Sequence, residues 1–271
     1  MINLQKKSWQ QLLSNHEEDL TIGISLLDEK GETLFNYHAK EIFPAASTIK
    51  LGIALYIAEN ESQQGLSKIL QLSKRVPGAG VLYLLNQKTA WTISELLQLM
   101  VMVSDNTAAN TLMDHYGMET IQSWLKRKYP SANLQRYFMD LNATNQNHLS
   151  AQDAAQMMVD IFKEPTDFSK KKSYALIRTA LAHQQFCEGL LASITEKDIP
   201  HLKTFSKNGT LNGIYHDVCR IAYQKKTITL AVFTQQKEKD NAQQEQALSH
   251  CQLGQNFLQQ VGSMVMEEVL S

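Results

Sequence analysis

Ser47-Thr48-Ile49-Lys50-Leu51-Gly52-Ile53-Ala54-Leu55-Tyr56-Ile57-Ala58 is the stretch that decides the fold. Pro44 blocks a helix from extending backwards, so a helix opens at Ser47. Ile49, Leu51, Ile53, Leu55 and Ile57 leave it almost no polar side, and such a helix must be central and buried. On its N-terminal side, Thr21 to Leu27 and Glu32 to Tyr37 are apolar-rich runs joined by Asp28-Glu29-Lys30-Gly31, a hairpin with its glycine in the turn. On its C-terminal side, strand character returns in Leu202 to Ser206, Val218 to Tyr223 and Thr227 to Thr234, rich in Ile, Val, Tyr and Thr. Between them, residues about 47–190 read as nearly all helix.

This distribution predicts an α/β (α+β) fold. One antiparallel sheet is built from both termini and flanked by helices, with an all-helical lobe inserted. Residues 1–46 plus 191–271 form the sheet-containing lobe and 47–190 the helical lobe, with a cleft at their junction. An amphipathic helix is expected over 3–17, with Trp9, Leu12 and Leu13 on one stripe and Ile2 two turns before Trp9, and a last helix over about 241–268.

With 271 residues the chain can bury a large core, and its net charge of −1 gives no electrostatic reason to expect nucleic acid or an acidic membrane as partner. No apolar run approaches the roughly 18 residues of a membrane-spanning helix. Lys6 and Lys7 are followed by Asn15-His16-Glu17-Glu18-Asp19 rather than by a long apolar stretch, so no signal peptide is read and the expected location is cytoplasmic. A leader trimmed from ahead of Met1 would instead place the protein in the periplasm or outside the cell. Cys187, Cys219 and Cys251 are odd in number and form no C-x-x-C pair, which fits small core thiols in a reducing compartment. The eight histidines show no H-E-x-x-H or Cys/His pattern, so neither metal nor other cofactor is expected. Pro77-Gly78-Ala79-Gly80 reads as a turn, and Met100 and Met102 as core filler.

Three short motifs carry the chemistry: Ser47-Thr48-Ile49-Lys50, Ser104-Asp105-Asn106 and Lys207-Asn208-Gly209. Composition alone supplies a lone Ser-x-x-Lys or Lys-x-Gly about once in a chain this long, and Ser-Asp-Asn in about 5% of such chains. Only their order and context carry weight. Ser47 lies at a helix start, where free amides and the dipole favour negative charge on Oγ. Lys50 is one turn on, and burial there favours its neutral, basic form. Taken alone, Ser47 reads equally well as an N-cap with Lys50 reaching to water. Thr92-Ile93-Ser94-Glu95 is a capping box that starts a helix; the chain breaks at Ser104-Asp105-Asn106, and a new helix runs from Thr107 to about Tyr116, stopped by Gly117. That break can push Ser104 and Asn106 into a cleft, or can be a plain turn capped by Asp105. Lys207 and Gly209 sit at a strand end, either across the cleft or as an ordinary turn. Together the motifs offer a serine nucleophile, an amine to take its proton, a second hydroxyl with a carboxamide, and a cation, which is the equipment of serine acyl transfer.

With these motifs in place, from about residue 20 to the C-terminus the chain resembles the class A β-lactamase and penicillin-binding family of active-site serine enzymes, down to the Glu-Leu-Leu…Ser-Asp-Asn-Thr-Ala-Ala-Asn wording within Ser94 to Leu112. The resemblance implies a β-lactamase-like serine hydrolase, or a related esterase or amidase, working on a small β-lactam, ester or peptide-like amide. It implies Ser47 as nucleophile, Lys50 as its base or proton relay, and Ser104 as the shuttle to the leaving nitrogen. Asn106 would bind the substrate's side-chain amide and Lys207 its carboxylate, with the backbone N–H groups of Ser47 and Thr210 as oxyanion hole. Three departures stand against a full transfer. The family's Arg-x-Glu-x-x-Leu-Asn loop is here Arg136-Tyr137-Phe138-Met139-Asp140-Leu141-Asn142, with Phe138 at the position of the deacylating glutamate. Asn208 in Lys207-Asn208-Gly209 replaces a carboxylate-binding hydroxyl by a carboxamide. The family's antibiotic-related members work outside the cytoplasm, and no export signal is read here. His216 and Asp217 lie where many relatives have a basic residue and a glycine, so His216 either helps bind an anion or is a polar strand residue. Acylation looks intact and deacylation does not. The alternatives are a penicillin-binding-type covalent acceptor or sensor, and a non-catalytic binding relative.

Overall fold

The computed structural model describes residues 6–194, 199–238 and 252–270. In chain order, α1 (Lys6–Ser14) leads into the hairpin of β1 (Leu20–Asp28) and β2 (Thr33–Tyr37), then β3 (Phe43–Pro44), a single 3₁₀ turn (Ala46–Ile49) and α2 (Lys50–Asn60). β4 (Ile69–Gln71), β5 (Ala90–Thr92), α3 (Ile93–Met102), α4 (Asn106–Tyr116) and α5 (Met118–Lys128) follow, then β6 (His148–Leu149), α6 (Ala151–Phe162) and α7 (Lys171–Ala182). The chain closes with β7 (Lys203–Leu211), β8 (Ile214–Tyr223), β9 (Lys226–Gln236) and α8 (Gln252–Leu270).

The main sheet has the order β2-β1-β9-β8-β7, every neighbouring pair antiparallel. β1 runs beside β9 from Leu20 opposite Gln236 to Asp28 opposite Ile228, so strands from both ends of the chain share one sheet, as the sequence predicts. In the β1–β2 turn, Gly31 has φ +92° and Asp28 Oδ1 accepts from the amides of Lys30 and Glu32, the side-chain-to-backbone geometry that makes Asp-x-x-Gly a turn.

Each face of the sheet has its own core. On one, Trp9 and Leu13 of α1 join Ile22, Ile24, Cys219, Leu230 and the buried stripe of α8 from Phe257 to Val269. Trp9 stacks on Phe35 with ring centroids 4.3 Å apart. On the other, α2 is buried along Lys50 to Ala58 among α3, α5, α6 and α7, as its apolar circumference requires. Met100 is fully buried there and Met102 packs half-buried beside it. Cys219 is a core thiol, Cys187 is half-buried, and Cys251 lies outside the described residues.

Several expectations need correction. α1 is described only from Lys6 and ends at Ser14, short of 17; Ile2 lies outside the described residues. α8 is described from Gln252, and the predicted start near 241 lies outside them too. The stretch 47–190 is less helical than expected: long irregular segments fill 61–92 and 129–150, carrying a 3₁₀ turn at Gly65–Ser67 and the short strands β4, β5 and β6. β7 and β8 are longer than predicted, since pairing continues from Lys203 opposite Ala222 to Leu211 opposite Ile214. Lys207, Asn208, His216 and Asp217 have weak strand propensity, yet all are buried there, so tertiary pairing overrides local preference.

Gly262 fixes how closely α8 can sit. A Cβ built on it would lie 2.0 Å from the Leu190 carbonyl oxygen, a backbone atom that cannot swing away. Gly262→Ala should therefore destabilise the fold by about 1–3 kcal/mol from overpacking, more than the ~1 kcal/mol an alanine returns in helix propensity. Urea unfolding should show a lower midpoint at unchanged slope; an unchanged or higher midpoint would mean that this contact does not set the helix position.

Candidate active site

The nucleophile turn is held before α2 begins. Ala45 N donates to Asn147 O (2.7 Å), Thr48 Oγ1 donates to Ala45 O (2.6 Å), and Ala46 takes φ +47°. Ser47 therefore lies in a 3₁₀ turn, half-buried and lining the cleft, and not at the α-helical N-cap, where no side-chain capping bond is made. Lys50 is wholly buried. Its Nζ lies 3.2 Å from Ser47 Oγ, 2.6 Å from Ser104 O, 3.1 Å from Ser104 Oγ and 2.8 Å from Asn106 Oδ1. The snorkelling reading of Lys50 is excluded.

The break between α3 and α4 is what delivers those oxygens. The capping box at Thr92 and Glu95 is present, and α3 ends at Met102. Ser104 then takes φ +54°, an uncommon region for a residue with a side chain, which turns both its carbonyl and its hydroxyl onto Lys50. Asp105 caps α4 through Ala108 N, as the plainer reading held. Its other oxygen also accepts from Val81 N (2.6 Å) and Leu82 N (2.8 Å), pinning the loop after Gly80. Asn106 N donates to Ala79 O and its Nδ2 to Pro77 O, so the Pro77–Gly80 turn is a wall of the site.

β7 supplies the opposite wall. Lys207 to Gly209 lie in mid-strand, not at a strand end, and β7 is the outer strand of the sheet. A Cβ on Gly209 would stand 2.8 Å from Ser47 N and 2.9 Å from Thr48 N, so only glycine lets the strand run this close to the nucleophile turn. Lys207 is wholly buried and donates to Ser104 Oγ (3.1 Å) and Asn208 O (2.7 Å). Ser104 Oγ thus stands between two lysine amines. Asn208, Gly209 and Thr210 line the same cleft, of about 650 Å³.

Burial decides the charges. Lys50 is pushed well below the usual lysine range, first by loss of hydration and then by the second cation at Lys207. Lys207 is lowered to about 7, again by burial, with Asp217 opposing the shift. A neutral Lys50 has two N–H donors, matching its two shortest contacts at Ser104 O and Asn106 Oδ1, and a lone pair left for the proton of Ser47 Oγ. Asp217 is itself buried and raised to about 7 by desolvation; its Oδ2 accepts from Leu190 N (3.0 Å).

His216 does not belong to the cleft. It is fully buried, stacked on Phe233 at 4.1 Å, bonded to Pro44 O through Nε2 and accepting from Thr234 N at Nδ1. Burial lowers it to about 4, so it is a neutral strand residue and not an anion ligand. Phe138, by contrast, is close to the reacting groups, with its ring centroid 4.3 Å from Lys50 Nζ. Asn110 holds its backbone on both sides, accepting from Phe138 N (2.9 Å) and donating to Phe138 O (3.0 Å). Asn147 likewise bonds Gln135 N, Arg136 N and Arg136 O. Sequence reading missed both asparagines as site-builders; Asn110 had a signal in the Ser-Asp-Asn-Thr-Ala-Ala-Asn wording, Asn147 had none. Asp140 accepts from Asn142 N in its own loop and does not line the cleft, nor does His148. Among the described residues, those that line the cleft include no carboxylate and no imidazole. Among the described residues no cluster of His, Cys, Asp or Glu could hold a metal ion, and no helix is long and apolar enough to cross a membrane.

A β-lactamase enzyme family model matches residues 5–261, and the chain belongs to that family. No curated protein matches it in sequence. Among solved structures, a β-lactamase from Sphaerobacter thermophilus DSM 20745 is 23% identical with TM-score 0.78, covering 97% of each chain. A β-lactamase from Xanthomonas campestris pv. campestris is 16% identical with TM-score 0.80, covering 99% of this chain and 100% of its own. A PBP-A mutant, held as an acyl-enzyme complex with penicillin G, is 20% identical with TM-score 0.79, covering 99% and 98%. These likenesses show the β-lactamase/transpeptidase-like fold.

Asn110 is nearly buried, so Asn110→Ala should leave two backbone groups of Phe138 without partners and cost about 1–3 kcal/mol. Hydrogen exchange should then accelerate across residues 136–141 and leave α2 protected. Unchanged exchange in that segment would refute the tether.

Proposed function

We propose that the chain is a serine hydrolase of the class A type that forms a covalent acyl-Ser47 intermediate with a β-lactam, amide or ester and releases it slowly. The observation that carries the reading is Lys50: wholly buried, depressed in basicity, and 3.2 Å from Ser47 Oγ. In this reading the Oγ proton passes to the Lys50 amine as Oγ attacks the carbonyl carbon. Ser104, bonded to both lysines, returns a proton to the leaving nitrogen or oxygen. Asn106 binds the side-chain amide. Lys207, charged below about pH 7 in the free protein, meets an anionic group with Asn208 beside it. The backbone N–H groups of Ser47 and Thr210 hold the oxyanion.

Slow release rests on Phe138. An acyl-enzyme needs a base for its attacking water, and Phe138 stands against Lys50 at the position that by resemblance holds the glutamate of class A β-lactamases, in a cleft lined, among the described residues, by no carboxylate. The same observation favours the second reading, a penicillin-binding-type acceptor that stays acylated. Repeated turnover separates the two.

Intact-mass spectrometry after mixing with a penicillin or an activated ester tests the first step. An adduct should form on the native protein, be absent from Ser47→Ala, and form about 10²–10⁴-fold more slowly on a folded Lys50→Met. Adduct on Ser47→Ala would sink the assignment.

Steady-state measurements test the second. Penicillin hydrolysis should show a burst followed by a slow phase, and Phe138→Glu should raise deacylation more than acylation. Fast, burst-free turnover by the native protein, unaffected by replacing Asp140, would show that the lost glutamate does not matter.

A further inference from the structure

Of the ten large apolar side chains exposed among the described residues, five stand on two loops beside the cleft: Val81, Leu84, Leu85, Met139 and Leu141. Both loops are held from within. Asp105 grips the amides of Val81 and Leu82, with Leu82 fully buried as an anchor, and Asn110 grips Phe138. The loops also meet, since a Cβ built on Gly78 would lie 3.1 Å from Met139 Sδ. Met139 and Leu141 both line the cleft and face water, so their apolar surface is open to a molecule bound there.

The placement of one wall says what. Phe138 touches Lys50, and Phe138, Met139 and Leu141 all line the cleft, with Leu141 84% exposed at its outer end. An apolar path therefore leads from the reacting groups to solvent. Among the described residues no carboxylate lines it, and the guanidinium of Arg136 is tied back to Asp140 O (3.0 Å).

We propose that the acyl group this site accepts is an unbranched alkanoyl chain, delivered as a carboxylic ester and lying along Phe138, Met139 and Leu141. The inference rests on the acyl-Ser47 reading. Ser47 Oγ bonds to the ester's carbonyl carbon, the bond from that carbon to the alcohol oxygen breaks, and the Oγ proton leaves on the alcohol by way of Lys50. Alkanoyl-Ser47 remains, and water later returns it as the free acid.

The test uses 4-nitrophenyl acetate, butyrate, hexanoate and octanoate below their micellar concentrations, following nitrophenol release together with the mass of the protein. The acylation rate should climb by about threefold to fourfold for each added methylene that is buried, and level off once the chain passes Leu141. The double substitution Met139→Ser with Leu141→Ser should flatten that climb, whereas Leu141→Met should keep it. Equal rates for all four esters, with a Ser47 adduct formed, would overturn the inference and leave the acyl-enzyme reading standing. No adduct with any ester, while a penicillin still acylates Ser47, would overturn the inference alone; no adduct with the esters or a penicillin would overturn both. A climb that survives the double substitution would overturn the assigned path. Indifference to chain length combined with binding to phosphatidylcholine vesicles would assign the rim to a lipid surface instead.

Discussion

Two lysines out of water around a single serine hydroxyl are the constraint on which the rest of the molecule depends. Lys50 and Lys207 are both wholly buried, and each lies 3.1 Å from Ser104 Oγ. Two ammonium groups in such a place would repel strongly and lack hydration, so at least one amine must be neutral. The surrounding structure supplies oxygens in place of water: Ser104 O and Asn106 Oδ1 for Lys50, Asn208 O for Lys207. Supplying them explains the left-handed backbone at Ser104, the break between α3 and α4, and the outer strand pressed against the Ser47 turn at Gly209. The same arrangement that makes the knot tolerable makes Lys50 a base.

The loop over the knot is built from amides. Asn110 and Asn147 between them bond the backbone of Gln135, Arg136 and Phe138, and the carbonyl of Asn147 also holds Ala45 beside the nucleophile. These are neutral bonds, indifferent to pH, and they use the loop's backbone, not its side chains. The side chain at 138 is therefore free to change its chemistry without unhooking the loop. A ring in that place keeps the shape of the site and alters what can approach Lys50.

Much of this was legible in the residues. The apolar circumference of α2, the capping box at Thr92, the turn at Gly31 and the strand-rich ends each report a local preference that the fold obeys. What local preference cannot report is pairing between distant parts. Lys207, Asn208, His216 and Asp217 look too polar for strands until the sheet buries them. His216 was read as a possible anion ligand because its type fits that role; only the neighbours Phe233, Pro44 and Thr234 show it to be filled on both nitrogens. The Pro77–Gly80 turn was recognised as a turn, but that it walls the cleft depends on its bond to Asn106, beyond the reach of spacing.

The pairing of β1 with β9 has a consequence for how the chain is made. Leu20 faces Gln236, far away along the chain, so the hairpin of β1 and β2 leaves the ribosome long before its central partner exists. Until β9 arrives, the edge of β1 that will be the middle of the sheet is an open row of amides and carbonyls flanked by Ile22, Ile24 and Leu26, a template for any other strand nearby. Contacts between residues so far apart in sequence form slowly, and the sheet cannot close until β9 has been made. Until then the nascent chain carries an unpaired strand edge whose apolar face is the same one that the finished sheet buries.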